Sequence, residues 1–186
     1  MVITAHNEAR DIEQTIRAIK GQTLLPQEII VIDDGSIDQT GDIARRAGAT
    51  VYHRESKPDG KTQGKAAGQK FGLSVVKTTF VILIDADTDL KYDAIEMMMP
   101  YFNEPKTAAV GGYVLPKYVN NLWEKLRQFQ YHFGFSVIKA GQNNTGTIFV
   151  SSGCFTGFRT GELRKVFRVI SRRQYRKSNE KLSMSL

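Results

Sequence analysis

Through the first 115 residues, short apolar runs alternate with polar stretches of helical period. Met1–Ala5 predicts a strand. Ile12, Ile16 and Ile19 stand at i, i+4 and i+7, one face of a helix ending near Gly21. Glu28–Asp33 is a continuous apolar run with acidic ends, the pattern of a strand buried on both faces. Asp38–Gly48 predicts a helix, Thr50–His53 a short strand, and Arg54–Gly64, with Pro58 and two glycines, a loop. Lys65–Val76 predicts a third helix. Phe80–Ile84 is the most apolar strand and runs straight into Asp85. A helix over Tyr92–Phe102 and a strand over Ala108–Leu115 complete the series. Such alternation predicts an α/β fold, a mostly parallel sheet with helices on both faces and right-handed crossovers.

From Asn121 the pattern changes. Leu122, Leu126, Phe129 and Phe133 form a helical stripe. Between Arg127 and Lys139 no residue is charged, and Phe129, Tyr131, Phe133 and Phe135 appear. The segment is either a helix packed on the sheet or a face meant for a membrane interface or a missing partner segment.

Charge adds a boundary. Residues 1–158 carry 17 Lys and Arg against 17 Asp and Glu, while residues 159–186 carry 9 against 2, so the net charge of +7 belongs to the end of the chain. Two segments are expected: a domain over 1–160 and a basic, disordered tail over 161–186. A basic tail can bind nucleic acid. The neutral body and the lack of aromatic–basic alternation in the tail argue against that class, and no nucleic-acid partner is expected. The single cysteine, Cys154, excludes a disulfide framework. No apolar run reaches the ~18 residues of a membrane span. With no leader pattern, a cytoplasmic location is the expectation.

The candidate chemistry lies where strands end. Three clusters follow predicted strands: Thr4-Ala5-His6-Asn7-Glu8, Asp33-Asp34-Gly35-Ser36 and Asp85-Ala86-Asp87. In an open parallel sheet these ends share one edge, where ligands bind. Crowded carboxylates call for a cation or a hydrogen-bond donor. Asp85 and Asp87 can approach one hard cation through oxygen. Asp33 or Asp34 can accept from a base N–H or a ribose hydroxyl. Lys65, opening a helix after Gly64, can meet phosphate. Rival motifs are weaker. Asp85, Asp87, Asp89, Asp93 and Glu96 match a calcium loop in spacing, but Leu90 stands where the turn needs glycine. Asp-x-Asp after a strand also suggests an aspartyl phosphatase, but Asp89 stands where that pattern has Thr or Val. Gly60-Lys61-Thr62 lacks the first glycine of a phosphate loop. The histidines His6, His53 and His132 have no metal-ligand spacing.

Taken together, VITAHNE at Val2–Glu8, VIDDGS at Val31–Ser36, GKAAG at Gly64–Gly68, LIDAD at Leu83–Asp87 and SGCFTGFR at Ser152–Arg159 resemble the family-two inverting glycosyltransferases of GT-A fold. The resemblance implies that Ala5, Glu8 and Asp33 or Asp34 cradle a nucleotide-diphospho-sugar, with Lys65 and Asp85. It implies that Asp87 binds Mg²⁺ or Mn²⁺, and that Gly153, Cys154 and Phe155 line the sugar and acceptor site. The acceptor would be a saccharide or a lipid-linked saccharide. The aromatic segment Leu122–Ile138 looks like that of the family's membrane-bound polysaccharide synthases, which implies a peripheral contact at the inner face of the membrane. After Arg159 the family continues with a Gly-Gly-Phe-Asp stretch and an acidic general base. Here no Asp follows. The expectation is a truncated domain whose donor half is present and whose deprotonating half is not, with a tail over 161–186 that is either disordered or not native to the family. A non-catalytic nucleotide-sugar-binding remnant is the alternative.

Overall fold

A computed structural model describes residues 1–57, 62–116, 119–144 and 153–170. Four strands, β1 (Val2–Ala5), β2 (Ile30–Asp34), β3 (Thr50–Arg54) and β4 (Phe80–Asp85), run parallel. Helices α1 (Ile12–Lys20), α2 (Thr40–Arg46) and α3 (Lys65–Val75) connect them. Beyond β4 lie α4 (Ala94–Met98), a 3₁₀ turn over Met99–Asn103, β5 (Ala109–Gly111), α5 (Leu122–Phe133), a π-helical stretch over Gly134–Lys139, α6 (Ala140–Asn144) and β6 (Phe155–Arg159). A further helix, α7, spans 160–170. The sheet order is β3-β2-β1-β4-β6-β5, with β6 antiparallel to both neighbours.

The apolar runs fill both faces of this sheet, because successive side chains point to opposite sides. Ile3, Val31, Ile82 and Ile84 join Ile12, Ile16 and Ile19 of α1 and Ile95 and Met98 of α4 on one face. Val2, Ile30, Ile32, Val81 and Leu83 meet Leu73 of α3 and Leu163 of α7 on the other. On that second side α3 lies very close to the sheet. A Cβ at Gly72 would stand 2.5 Å from Val2 Cγ1, and one at Gly68 would stand 3.0 Å from Thr4 Cγ2.

Three elements differ from the sequence expectation. The strand over Ala108–Leu115 is cut to Ala109–Gly111, and the backbone N–H of Gly112 makes a last bond to Phe155 O at 2.9 Å. The helix over Tyr92–Phe102 divides into α4 and the 3₁₀ turn at Pro100, whose ring removes a backbone donor. The third difference is at residue 160, the expected start of the basic tail. Residues 161–170 are not a disordered tail but continue α7, because Leu163 is buried and Phe167 packs against the same cluster. The basic residues also find partners. Arg164 Nη2 donates to Leu73 O at 3.2 Å and to Val76 O at 2.5 Å, placing a cation at the carbonyl end of α3. The rest of the expected tail, 171–186, lies outside the described residues.

The aromatic segment is helical as its stripe predicts, and it starts on a capping box. Asn121 Oδ1 accepts from Glu124 N at 2.9 Å, while Glu124 Oε2 accepts from Asn121 N at 3.3 Å. It is not packed on the core: α5 has no buried residue, and Trp123 is 79% exposed and Phe129 69%. On another side of this helix Tyr113 Oη lies 2.6 Å from His132 Nδ1 and stacks near Phe135. No helix among the described residues is long and apolar enough to cross a membrane.

Candidate donor-binding site

The winding of the sheet reverses between β1 and β4, and the crevice at the C-terminal end of such a point is where open α/β sheets bind ligands. The loops after β1 and β2 are tied together there. Asn7, at φ +57°, donates its backbone N–H to Ser36 Oγ at 3.0 Å, and its Oδ1 accepts from Ile37 N at 2.9 Å. Asparagine tolerates this left-handed backbone better than most residues. The turn delivers Glu8, whose N–H donates to Thr40 Oγ1 at 2.8 Å. Ala5, buried at the end of β1, leaves the crevice floor with only a methyl group.

The two acids ending β2 are already engaged within the protein. Asp33 Oδ1 accepts from Ser36 N at 3.0 Å, and its Oδ2 lies 2.9 Å from His53 Nδ1. Asp34 Oδ1 accepts from Arg54 Nη1 at 3.0 Å, and its Oδ2 from Gly64 N at 2.9 Å. Both side chains are 6% exposed. Burial of this kind needs such partners. Gly64 caps α3 at φ +92°, a backbone that favours glycine.

Lys65 then stands beside the third cluster. Its Nζ is 2.5 Å from Asp85 Oδ1 and donates to Gly153 O at 3.4 Å. Cys154 O accepts from Asp85 N at 3.2 Å and from Thr88 Oγ1 at 3.3 Å, so the 153–154 turn is moored to the end of β4. Asp87 is exposed. Glu8 is half-buried and titrates above the ordinary glutamate value, first because burial disfavours its charge and then because Asp87, Asp11, Asp38 and Asp85 repel it. Glu8, Asp85 and Asp87 therefore share one field of negative charge, with Lys65 at its side. Among the described residues no group of three or more His, Cys, Asp or Glu side chains could by itself enclose a metal ion. The donor set is hard oxygen, suited to a divalent cation whose remaining ligands come from phosphate and water.

The structure thus brings Ala5, Glu8, Asp33, Asp34, Lys65, Asp85, Asp87, Gly153 and Cys154 to one edge. Phe155 is the exception: it was expected beside the sugar, yet its side chain is in the core, 6% exposed, against Gly112. As the first residue of β6 it takes the inward side of the pleat. The calcium-loop spacing does not converge, since Asp93 pairs with Lys91 and Glu96 accepts from Thr23. Gly60 and Lys61, part of the weak phosphate-loop match, lie outside the described residues. Sequence reasoning missed Arg54 and His53. Their signal was present: a basic pair closing a strand beside another strand that ends in two acids.

Solved structures similar in fold include a mannosyltransferase and a glucosyl-3-phosphoglycerate synthase. A mannosyltransferase from Pyrobaculum calidifontis, solved with GDP-Man and Mn²⁺, superposes with a TM-score of 0.70 at 21% identity, over 89% of this chain and 45% of that one. Glucosyl-3-phosphoglycerate synthase from Mycobacterium tuberculosis, solved with Mn²⁺, UDP and glucosyl-3-phosphoglycerate, gives 0.58 at 20% identity, over 86% and 56%. The architecture is the GT-A fold. In sequence, the poly-beta-1,6-N-acetyl-D-glucosamine synthase of Staphylococcus epidermidis is 28% identical over 172 residues. That of Staphylococcus aureus (strain COL) is 27% identical over 165. The alignments cover 89% and 85% of this chain but only 40% and 38% of those proteins. The family model described as glycosyl transferase family 2 matches residues 1–167, from the start of β1 into α7 and through every cluster of the crevice. With sheet order, edge chemistry and family model in agreement over that length, the chain belongs to glycosyl transferase family 2.

Proposed function

We propose that this domain binds a nucleotide-diphospho-sugar at the β1/β4 crevice and transfers the sugar, with inversion, to an acceptor hydroxyl in a metal-dependent reaction. The observation that carries this reading is the Lys65–Asp85 contact of 2.5 Å beside Glu8 and Asp87. An ammonium group at the start of α3 faces acids at the ends of two strands, an arrangement suited to a diphosphate held jointly by cations. In this reading Ala5, Glu8, Asp33 and Asp34 form the nucleoside side, with Asp33 or Asp34 accepting from base or ribose. Lys65 neutralises phosphate charge, Asp85 orients Lys65 and the donor, and Asp87 holds Mg²⁺ or Mn²⁺. Gly153 and Cys154 border the sugar through backbone groups. The bound cation would stabilise the negative charge of the departing nucleoside diphosphate.

No residue of this chain is assigned the deprotonation of the acceptor. The chain spans about 40% of the curated relatives it matches, so assembly of a saccharide polymer belongs to this proposal only by way of those relatives. Calorimetry with UDP and GDP tests the reading. One of them should bind with Mn²⁺ or Mg²⁺ and lose affinity on chelation, and Asp87→Ala should remove that dependence. Equal affinity with and without chelator would overturn it.

A second reading concerns location. The exposed stripe of Leu122, Trp123, Leu126 and Phe129 favours peripheral contact with a lipid surface at its cytoplasmic side. Co-sedimentation with phosphatidylglycerol-containing liposomes, lost on Trp123→Ser with Phe129→Ser, is the expected result. A chain that stays in the supernatant would exclude it.

A further inference from the structure

We propose that Arg54 is the positioning residue of the donor site. By gripping Asp34 and Gln63 together, its guanidinium fixes the start of α3 and thereby the place of Lys65 against Asp85. The inference rests on the donor-binding reading above and adds to it a residue at the end of β3. The Arg54 side chain is 11% exposed, which for a charged group demands a structural return. Its Nη1 donates to Asp34 Oδ1 at 3.0 Å and its Nη2 to Gln63 Oε1 at 2.6 Å. Its Cζ lies 5.7 Å from the centre of the Phe71 ring, and its Nη1 is 3.6 Å from where a Cβ at Gly68 would be. The guanidinium therefore threads between the end of β2 and the first turns of α3.

What it grips determines its role. Asp34 spends its other oxygen on Gly64 N, the N-cap of α3, at 2.9 Å. Gln63 Nε2 in turn donates to Glu55 O at 3.1 Å, closing the near side of the loop back onto β3. One planar fork thus ties the residue before the cap and the acid that holds the cap. Lys65, the next residue along, has a long flexible stem of its own. Fixing the backbone it hangs from lowers the entropy lost in holding its ammonium 2.5 Å from Asp85. The GKAAG glycines serve this geometry too: Gly64 gives the positive φ, and Gly68 lets α3 approach Thr4, whose Cγ2 would stand 3.0 Å from a Cβ there.

A double-mutant cycle separates positioning from simple folding. In Arg54→Met, the affinity for UDP or GDP with Mn²⁺, measured by calorimetry, should fall about tenfold, the loss typical of a charge-assisted hydrogen bond. In a Lys65→Ala background the same substitution should change affinity by less than about twofold, within the additivity error of independent sites. Arg54→Lys, which keeps the charge and loses the fork, should recover only part of the loss. An equal cost in both backgrounds, or full recovery with lysine, would overturn the proposal. Hydrogen exchange at residues 64–68 provides a readout without nucleotide. It should be faster in Arg54→Met than in the wild type, and unchanged exchange would overturn the assignment. If the wild-type chain binds neither diphosphate, the donor-site reading fails, while the exchange experiment still decides whether Arg54 fixes this turn. Should Arg54→Met not fold, Gln63→Ala removes one grip alone. It should accelerate exchange at the same residues, and no acceleration would count against the proposal.

Discussion

Helix α1 of the β1–β4 body and helix α5 both carry an apolar stripe in sequence, yet only α1 is packed. Ile12, Ile16 and Ile19 of α1 are fully buried, whereas Leu122, Leu126 and Phe129 of α5, at similar spacing, are 69%, 52% and 69% exposed. Helical periodicity states which residues share a face, and it is silent on what that face meets. In α1 the answer lies in neighbouring strands whose own runs are apolar on both sides. The α5 helix draws its local stability from a capping box.

This contrast can be broken by substitution. Ile16→Ala should cost about 2–5 kcal/mol in chemical denaturation, the range for truncating a buried aliphatic side chain. Gly72→Ala should cost about 1–3 kcal/mol by overpacking α3 against Val2. A neutral result there would mean that α3 can move off the sheet. Arg164→Ala should cost about 1 kcal/mol, the net worth of hydrogen bonds to two carbonyls at the end of α3. Phe129→Ser should change stability by no more than about 0.5 kcal/mol. A larger loss would show that α5 is packed in solution and erase the contrast. Limited trypsin digestion sharpens it further: cleavage after Lys125 or Arg127 should precede cleavage in α1 or α2, since segments with few buried contacts open first.

The parallel half was legible because its strands are apolar on both faces and each ends in acids or polar residues, leaving few alternative readings. The strand β6 was not. Phe155-Thr156-Gly157-Phe158-Arg159 has a glycine at its centre, which weakens a strand pattern. That glycine exists for tertiary reasons, since a Cβ there would lie 2.6 Å from Met98 Sδ. The helix α7 was hidden by its charge. Read alone, a run rich in Lys and Arg suggests a solvated tail, and only the carbonyl end of α3 explains Arg164. The site shows the same division. Which acids gather at the edge followed from strand ends, but the clamp of Arg54 on Asp34 depends on the β2–β3 register, which pairs the two residues directly.

The placement of β6 also bears on the order in which the molecule can be made. It lies between β4 and β5, and among the described residues β5 pairs with no other strand. A chain growing from its N-terminus has β5 in hand long before the strand that must link it to the sheet. Until residue 159 emerges, β4 presents an open apolar edge and β5 has nothing to pair with, a state prone to mispairing with other chains. Closure then joins residues far apart in the chain, pairing Phe80 with Arg159 and Ile84 with Phe155, a long-range contact of the kind that slows folding. Of the described strands, the one latest in the chain is the one that fastens β5 to the rest of the sheet.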